Sequence, residues 1–99
     1  MANFHSTEMD VIRHAEANKL LEVSPGQQAL FAADSMEDLC RFVALGEPVE
    51  ISEQVGLVAI DMIRLCAMLD IDLSKCLAQA FEKISAKPLP SNVVFLKKE

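Results

Sequence analysis

Apolar side chains recur every three or four residues along most of this sequence, a spacing typical of amphipathic α-helices. The first stretch with this spacing covers about Thr7 to Glu22, and either Ser6 or Thr7 could cap its amino end. Its apolar positions are few. The pattern therefore predicts a first helix with a narrow apolar stripe.

A second helix is predicted from Ser24-Pro25-Gly26-Gln27, which supplies a capping serine, a proline at the first helical position and a glutamine at the third. Gly46 and Pro48 both stop helices and mark its end. One face of this helix is predicted to be apolar, with Ala29, Ala32, Ala33, Met36, Leu39, Cys40 and Val43.

The stretch from Val55 to Leu69 is apolar on nearly all sides and follows Ser52, another residue suited to a helix N-cap. It is therefore predicted to be a central, buried third helix. After a turn at Asp70-Ile71-Asp72, a fourth amphipathic helix is predicted, and Lys87-Pro88-Leu89-Pro90 ends it. Its apolar positions are Leu73, Leu77, Ala80, Phe81 and Ile84.

Four helices joined by short turns predict an all-α fold, an antiparallel four-helix bundle that forms one domain over residues 1–99. The core spans about residues 7–88. In the tail, residues 89–99, the segment Val93 to Leu96 is predicted to be a short strand, an extended segment on a partner subunit or a frayed end.

Hydrophobic residues make up 52% of the chain, more than one small core can hide. This surplus predicts a homo-oligomer, either a dimer through an apolar face or a dimer of dimers.

Charge and composition exclude several classes of partner. The net charge is −6 and the basic residues are scattered, so the sequence carries no footprint for binding nucleic acid. Charged residues interrupt the first twenty positions, and the longest apolar run, Val55 to Ile60, is too short to cross a membrane. A cytoplasmic protein is therefore expected.

Seven sulfur-containing residues are predicted to be core residues, the cysteines in reduced form: Cys40, Cys66, Cys76, Met9, Met36, Met62 and Met68.

Three short motifs occur in one order along the last half of the chain. They are Glu53-Gln54-Val55-Gly56-Leu57-Val58, Leu69-Asp70-Ile71-Asp72-Leu73 and Ala80-Phe81-Glu82-Lys83. The first resembles the Glu-Glu-Leu-Gly-Asp-Val and the second the Leu-Gly-Ile-Asp-Leu of MazG-like all-α nucleoside triphosphate pyrophosphatases, and the third resembles the lysine-containing end of the family's last helix. The resemblance covers roughly three fifths of the chain, from Gln28 to Pro88, and implies a helical fold related to those enzymes.

Members of that family bind magnesium through a Glu-x-x-Glu on the second helix and a Glu-x-x-Asp on the third. Residues three apart lie on one helix face, so four carboxylates can converge on the cation and leave room for phosphate oxygens. Here the first pair falls on Ser35 and Asp38 and the second on Gln54 and Leu57, which leaves one carboxylate of four. A shifted register of the second helix would instead place Asp34 and Glu37 at the first pair. In either register, Leu57 cannot coordinate a cation.

Two interpretations of the remaining polar residues stay open. Asp34, Asp38 and Asp61 could hold a displaced magnesium ion, or Asp61 could simply pair with Arg64 inside the bundle. The resemblance places Arg64 near the nucleotide, so that Arg64 and Lys83 could meet phosphate oxygens directly. The candidate ligand-binding residues are Asp38, Gln54, Asp61, Arg64 and Lys83.

Three functions are compatible with the sequence. The first is a MazG-like binding module for a nucleotide or phosphorylated ligand that has lost pyrophosphatase activity. The second is an active magnesium-dependent pyrophosphohydrolase with rearranged ligands, and the third is a non-catalytic assembly protein. Turnover with magnesium would select the second function, and stabilisation by a nucleotide without turnover would select the first.

Overall fold

The computed structural model describes residues 3–86, and these residues form four α-helices and no strand. The helices are α1 (Phe4–Ala17), α2 (Pro25–Leu45), α3 (Pro48–Met68) and α4 (Leu73–Ala86). The predicted all-helical fold is therefore confirmed. The predicted stop at residues 87–90 and the tail lie outside the described residues.

Helix α1 begins earlier and ends earlier than predicted. Its cap is Asn3, whose side-chain oxygen accepts a hydrogen bond from the Ser6 backbone N–H at 2.8 Å, so the prediction of Ser6 or Thr7 as N-cap was wrong. At the other end, Lys19 adopts a left-handed conformation with φ 58°, and the Leu20 N–H bonds back to the Ala15 carbonyl at 2.8 Å. This closing turn ends the helix at Ala17, before the predicted Glu22.

The predicted bounds of α2 are confirmed. The Ser24 hydroxyl oxygen accepts a hydrogen bond from the Gln27 N–H at 3.0 Å, and Pro25 occupies the first helical position. At the carboxyl end, Gly46 is left-handed with φ 67°, and its N–H bonds to the Phe42 carbonyl at 3.0 Å. Glycine adopts this conformation without steric penalty, which allows an abrupt stop.

Helix α3 starts at Pro48, so Ser52 lies inside the helix and the prediction that it caps the amino end was wrong. Glu47 takes the cap position and makes no side-chain capping bond. Proline suits the first turn because its fixed φ is helical and an N–H there would have no partner in the helix. Only Gly46 and Glu47 therefore separate α2 from α3, and the two helices form a tight antiparallel hairpin.

The turn between α3 and α4 follows the predicted sequence. Asp70 is left-handed with φ 57°, and the Ile71 N–H bonds to the Cys66 carbonyl at 2.8 Å. The Asp72 carboxylate then accepts a hydrogen bond from the Lys75 N–H at 3.2 Å, which caps the amino end of α4.

Helix α3 lies at the centre of the fold, since α2 packs along one side of it and α1 packs against another. Helix α4 makes few contacts with the other three helices, and none of its residues is buried. The buried apolar residues of the described chain are Ala15, Ala32, Ile63 and Cys66. This core is small, and seventeen large hydrophobic residues between positions 4 and 84 remain exposed.

Several residues predicted to lie in the core are on the surface instead. Cys40 and Cys76 are exposed and Cys66 is buried, and all three are free thiols. Met36 and Met62 are 49% and 39% exposed. Within one copy of the chain, the prediction of a core position was therefore wrong for Cys40, Cys76, Met36 and Met62, and it is confirmed for Cys66.

Candidate functional site

A cluster of polar side chains lies where α2 meets α3. The Ser35 hydroxyl on α2 donates a hydrogen bond to Oδ2 of Asp61 on α3. The other carboxylate oxygen of Asp61 is 3.9 Å from Nη1 of Arg64, one turn along the same helix. The side chains of Asp61 and Arg64 are only 14% and 24% exposed. The predicted pairing of Asp61 with Arg64 is thus present, and the carboxylate is also held from the opposite helix by Ser35.

Two glutamine side chains join the same pair of helices. Nε2 of Gln54 on α3 donates to the Ser35 carbonyl at 2.9 Å, and Nε2 of Gln28 on α2 donates to the Asp61 carbonyl at 3.0 Å. Each amide therefore bonds to the backbone of the facing helix. Gln28 was not among the predicted site residues although it is only 2% exposed. Its position four residues before Ala32, on the apolar side of the helix, is the signal that could have revealed it.

The other two candidate ligand-binding residues do not join this cluster. Asp38 pairs with Arg41, three residues along α2, and the side chains of Arg41 and Asp38 are 67% and 43% exposed. Lys83 lies on α4 and, among residues 3–86, forms no ion pair or hydrogen bond. It lines a shallow cavity with Cys76, Gln79, Ala80 and Glu82. The structure therefore brings together Gln54, Asp61 and Arg64 and leaves Asp38 and Lys83 separate.

The carboxylates of the described chain do not fit a magnesium site. Across residues 3–86 there is no group of three or more histidine, cysteine, aspartate or glutamate side chains arranged to hold a metal ion. Asp34 is exposed, Asp38 pairs with Arg41, and Asp61 is directed at Ser35 and Arg64. The predicted set of Asp34, Asp38 and Asp61 is consequently not gathered around one point. At the position expected for another metal ligand, Leu57 is an apolar residue, 49% exposed.

Arg64 has one feature that the cluster does not explain. Its Nε atom is buried and has no hydrogen-bond partner among the described residues. The same side chain lines a cavity of about 260 Å³ between α1 and α3, together with Thr7, Asp10, Val11, His14 and Ile60. A buried guanidinium donor favours an acceptor such as a carboxylate or phosphate oxygen. Asp10 at this cavity is paired with Arg13 at 3.3 Å.

The buried thiol is not a nucleophile. Burial raises the pKa of the Cys66 thiol above its ordinary value of 9.0, and the nearby Cys76 and Glu8 raise it further. A thiol reacts as its thiolate, so Cys66 is protonated and inert at neutral pH.

Comparison with known protein families, curated proteins and solved structures found no match to this chain. Of the four helices between residues 3 and 86, none is both long and apolar enough to cross a membrane.

Proposed function

We propose that this chain is a non-catalytic assembly protein, a MazG-like helical module of the cytoplasm that works by associating with further copies of itself. The observation that carries the proposal is the apolar surface of α4, called here the α4 stripe and consisting of Leu73, Leu77, Ala80, Phe81 and Ile84. Leu77, Phe81 and Ile84 are 66%, 67% and 65% exposed. The free, exposed thiols of Cys40 and Cys76 are typical of a reducing compartment and support the cytoplasmic assignment.

The α4 stripe has the spacing of an interhelical contact. Its residues are separated by four, three and four positions, with Phe81 beside Ala80, which is the repeat that packs one helix against another. Burying a large apolar side chain stabilises a protein by about 1.5–3 kcal/mol. Three such side chains on one 14-residue helix therefore leave several kcal/mol available to association.

The polar residues support a non-catalytic role. The Asp61 carboxylate already accepts a hydrogen bond from the Ser35 hydroxyl, and the Gln54 amide already donates one to the Ser35 carbonyl. Both bonds join α3 to α2 and hold the two helices together. Three of the four positions at which the MazG-like family carries metal-binding carboxylates hold serine, glutamine and leucine. A reaction that needs two metal half-sites has only one of its four carboxylate ligands here, Asp38, and Asp38 is paired with Arg41.

The proposal is tested by measuring the mass of the chain in solution by light scattering on a sizing column, at several concentrations. We expect an oligomer for the natural chain and weaker association for Phe81→Glu. Gln79→Glu is the matched control, since it adds the same charge to the opposite side of α4. A monomeric natural chain, or equal effects of the two substitutions, would contradict the proposal.

A second function, binding of a nucleotide or another phosphorylated ligand, is favoured by the Nε of Arg64, which lies beside a cavity and has no hydrogen-bond partner among residues 3–86. Its test is thermal unfolding with nucleoside triphosphates, with and without magnesium, followed by a pyrophosphate-release assay. If this function holds, a nucleotide raises the melting temperature of the natural chain but not of Arg64→Gln, without turnover. Magnesium-dependent release of pyrophosphate would instead favour an active enzyme.

A further inference from the structure

A second apolar surface lies on the α2–α3 hairpin and is called here the hairpin face. From α2 it contains Ala29, Ala33, Met36, Cys40 and Val43, and from α3 it contains Val55, Ala59 and Met62. All eight residues are exposed, and none carries a formal charge. The five residues of α2 are separated by four, three, four and three positions, the same repeat as in the α4 stripe.

The position of the hairpin face follows from the contacts between the two helices. Gln28 bonds to Asp61, and Gln54 bonds to Ser35, so the helices run antiparallel with these residues facing each other. Four residues of the hairpin face, Ala29, Met36, Val55 and Met62, each come one position after a residue that bonds across the hairpin, a rotation of about 100°. The other four continue these rows at spacings of three or four positions and so share their side of the helix. In an antiparallel pair, this rotation turns both rows of residues to the same side of the hairpin.

The opposite side of the hairpin is already occupied. Helix α1 packs there, and the cavity between α1 and α3 is lined by Ile60, one position before Asp61. Helix α1 thus packs against α3 on one side of the hairpin, and no helix of the described chain packs along the other side. Among residues 3–86, both the α4 stripe and the hairpin face therefore lack a partner.

We infer that the hairpin face of one copy is covered by α4 of a second copy, and that the exchange is reciprocal. This inference rests on the proposed assembly function and names its partner surface. The two surfaces are complementary in size, since Ala29, Ala33 and Ala59 leave room on the hairpin face for the large Leu77 and Phe81 of the α4 stripe. A reciprocal exchange around a twofold axis covers both surfaces in each copy and forms a closed dimer.

The surface that would be buried between α4 of one copy and the hairpin face of the other approaches that of a stable dimer. Helix α4 has 14 residues and the two hairpin helices have 21 each, lengths of about 21 Å and 32 Å, so the hairpin face can hold the whole of α4. With helices about 10 Å wide, the α4 stripe and the equal footprint that it covers on the hairpin face together project to about 420 Å² per copy. Side-chain relief raises the accessible area above this projection, toward the roughly 800 Å² per partner of a stable interface.

The exposed thiols give a direct test, because Cys40 lies on the hairpin face and Cys76 lies on α4 outside the stripe. Alkylation of each thiol is followed by mass spectrometry on the natural chain, together with its mass in solution. We expect a dimer in which Cys40 reacts at least about tenfold more slowly than Cys76. Phe81→Glu should dissociate the dimer and expose Cys40, although residue 81 is on a different helix.

Two variants of α2 complete the experiment. Met36→Glu places a charge on the hairpin face and should also dissociate the dimer and expose Cys40. Leu30→Glu is the matched control, since Leu30 is 60% exposed on the same helix but outside the hairpin face, and it should change neither readout. Circular dichroism checks that each variant stays helical.

The remaining outcomes separate the inference from the function on which it rests. If the natural chain is an oligomer whose Cys40 reacts as fast as Cys76, or whose mass is unchanged by Met36→Glu, the hairpin face is not the partner surface and only the inference fails. If Phe81→Glu dissociates the oligomer without exposing Cys40, the same conclusion holds. A monomeric natural chain overturns both, and a monomer with a protected Cys40 would show that the chain covers its own hairpin face.

Discussion

The hydroxyl of Ser35 on α2 donates a hydrogen bond to the carboxylate of Asp61 on α3, and this bond ties together the two helices of the hairpin. Both residues occupy the region where the resemblance to MazG-like enzymes implies metal-binding carboxylates. Ser35 has no charge with which to bind a cation, and it uses its one donor to satisfy Asp61. The bonds of Ser35 in this region therefore link the two helices of the hairpin.

Replacement of Ser35 by alanine should lower the free energy of unfolding by about 1–3 kcal/mol, because a poorly exposed carboxylate oxygen of Asp61 loses its donor. The better helix propensity of alanine offsets at most about 0.5 kcal/mol of this loss. Urea unfolding at a fixed protein concentration measures the difference.

Ser85→Ala is the matched control for Ser35→Ala. The Ser85 hydroxyl donates to the Glu82 carbonyl on the exposed surface of α4, so its loss should change stability by less than about 0.5 kcal/mol. Equal effects of the two substitutions would show that the Ser35 bond adds nothing to the hairpin.

The helices could be predicted from the sequence where a local signal fixes them. Ser24 and Pro25 set the start of α2, and Gly46 sets its end, because these residues act on the backbone within one turn. The caps of α1 and α3 were missed. Asn3 as a cap and Pro48 at the first helical position are helix-start signals as strong as Ser6 and Ser52, and only the packed structure distinguishes between them.

The site was predicted less completely, since it depends on how one helix faces another. Sequence spacing placed Asp61 and Arg64 on one face of α3, and the ion pair between them follows from that spacing. The partner across the hairpin, Ser35, could not be found without the register of α2 against α3. The residues predicted to form one apolar face of α2 fall into two groups in the structure. Ala32 is buried, whereas Met36 is exposed on the hairpin face.

Two glycines should respond to alanine with opposite signs. Gly46 has φ 67°, a conformation that strains any residue with a Cβ, so Gly46→Ala should destabilise the protein by about 1 kcal/mol. Gly56 lies in the interior of α3 with open space around its Cα, so Gly56→Ala should stabilise it by about 0.5–1 kcal/mol through helix propensity.

Thermal and urea unfolding of both glycine variants tests this pair. Each serves as the control for the other, since both add one methyl group that meets no atom within 4 Å. A loss of stability in Gly56→Ala would indicate that this position needs a close approach by a partner, such as a second copy of the chain.

The buried thiol of Cys66 should make the protein less stable in alkaline solution. In the folded chain, burial and the neighbouring Cys76 raise the pKa of Cys66, so above about pH 9 the thiol ionises in the unfolded chain first. The unfolded chain then binds fewer protons than the folded chain, and stability falls as pH rises, by at most about 1.4 kcal/mol per pH unit. Below pH 9 both states hold the proton, and this effect is absent.

Urea unfolding of the natural chain and of Cys66→Ala between pH 7 and pH 10.5 measures the effect. The alanine variant should be less stable at pH 7 because it leaves a small cavity, but its stability should fall less steeply above pH 9. Cys76→Ser should reduce the same slope by a smaller amount, since Cys76 is a weaker cause of the raised pKa than burial. Parallel curves for the natural chain and Cys66→Ala would mean that the thiol ionises equally easily in the folded and unfolded states.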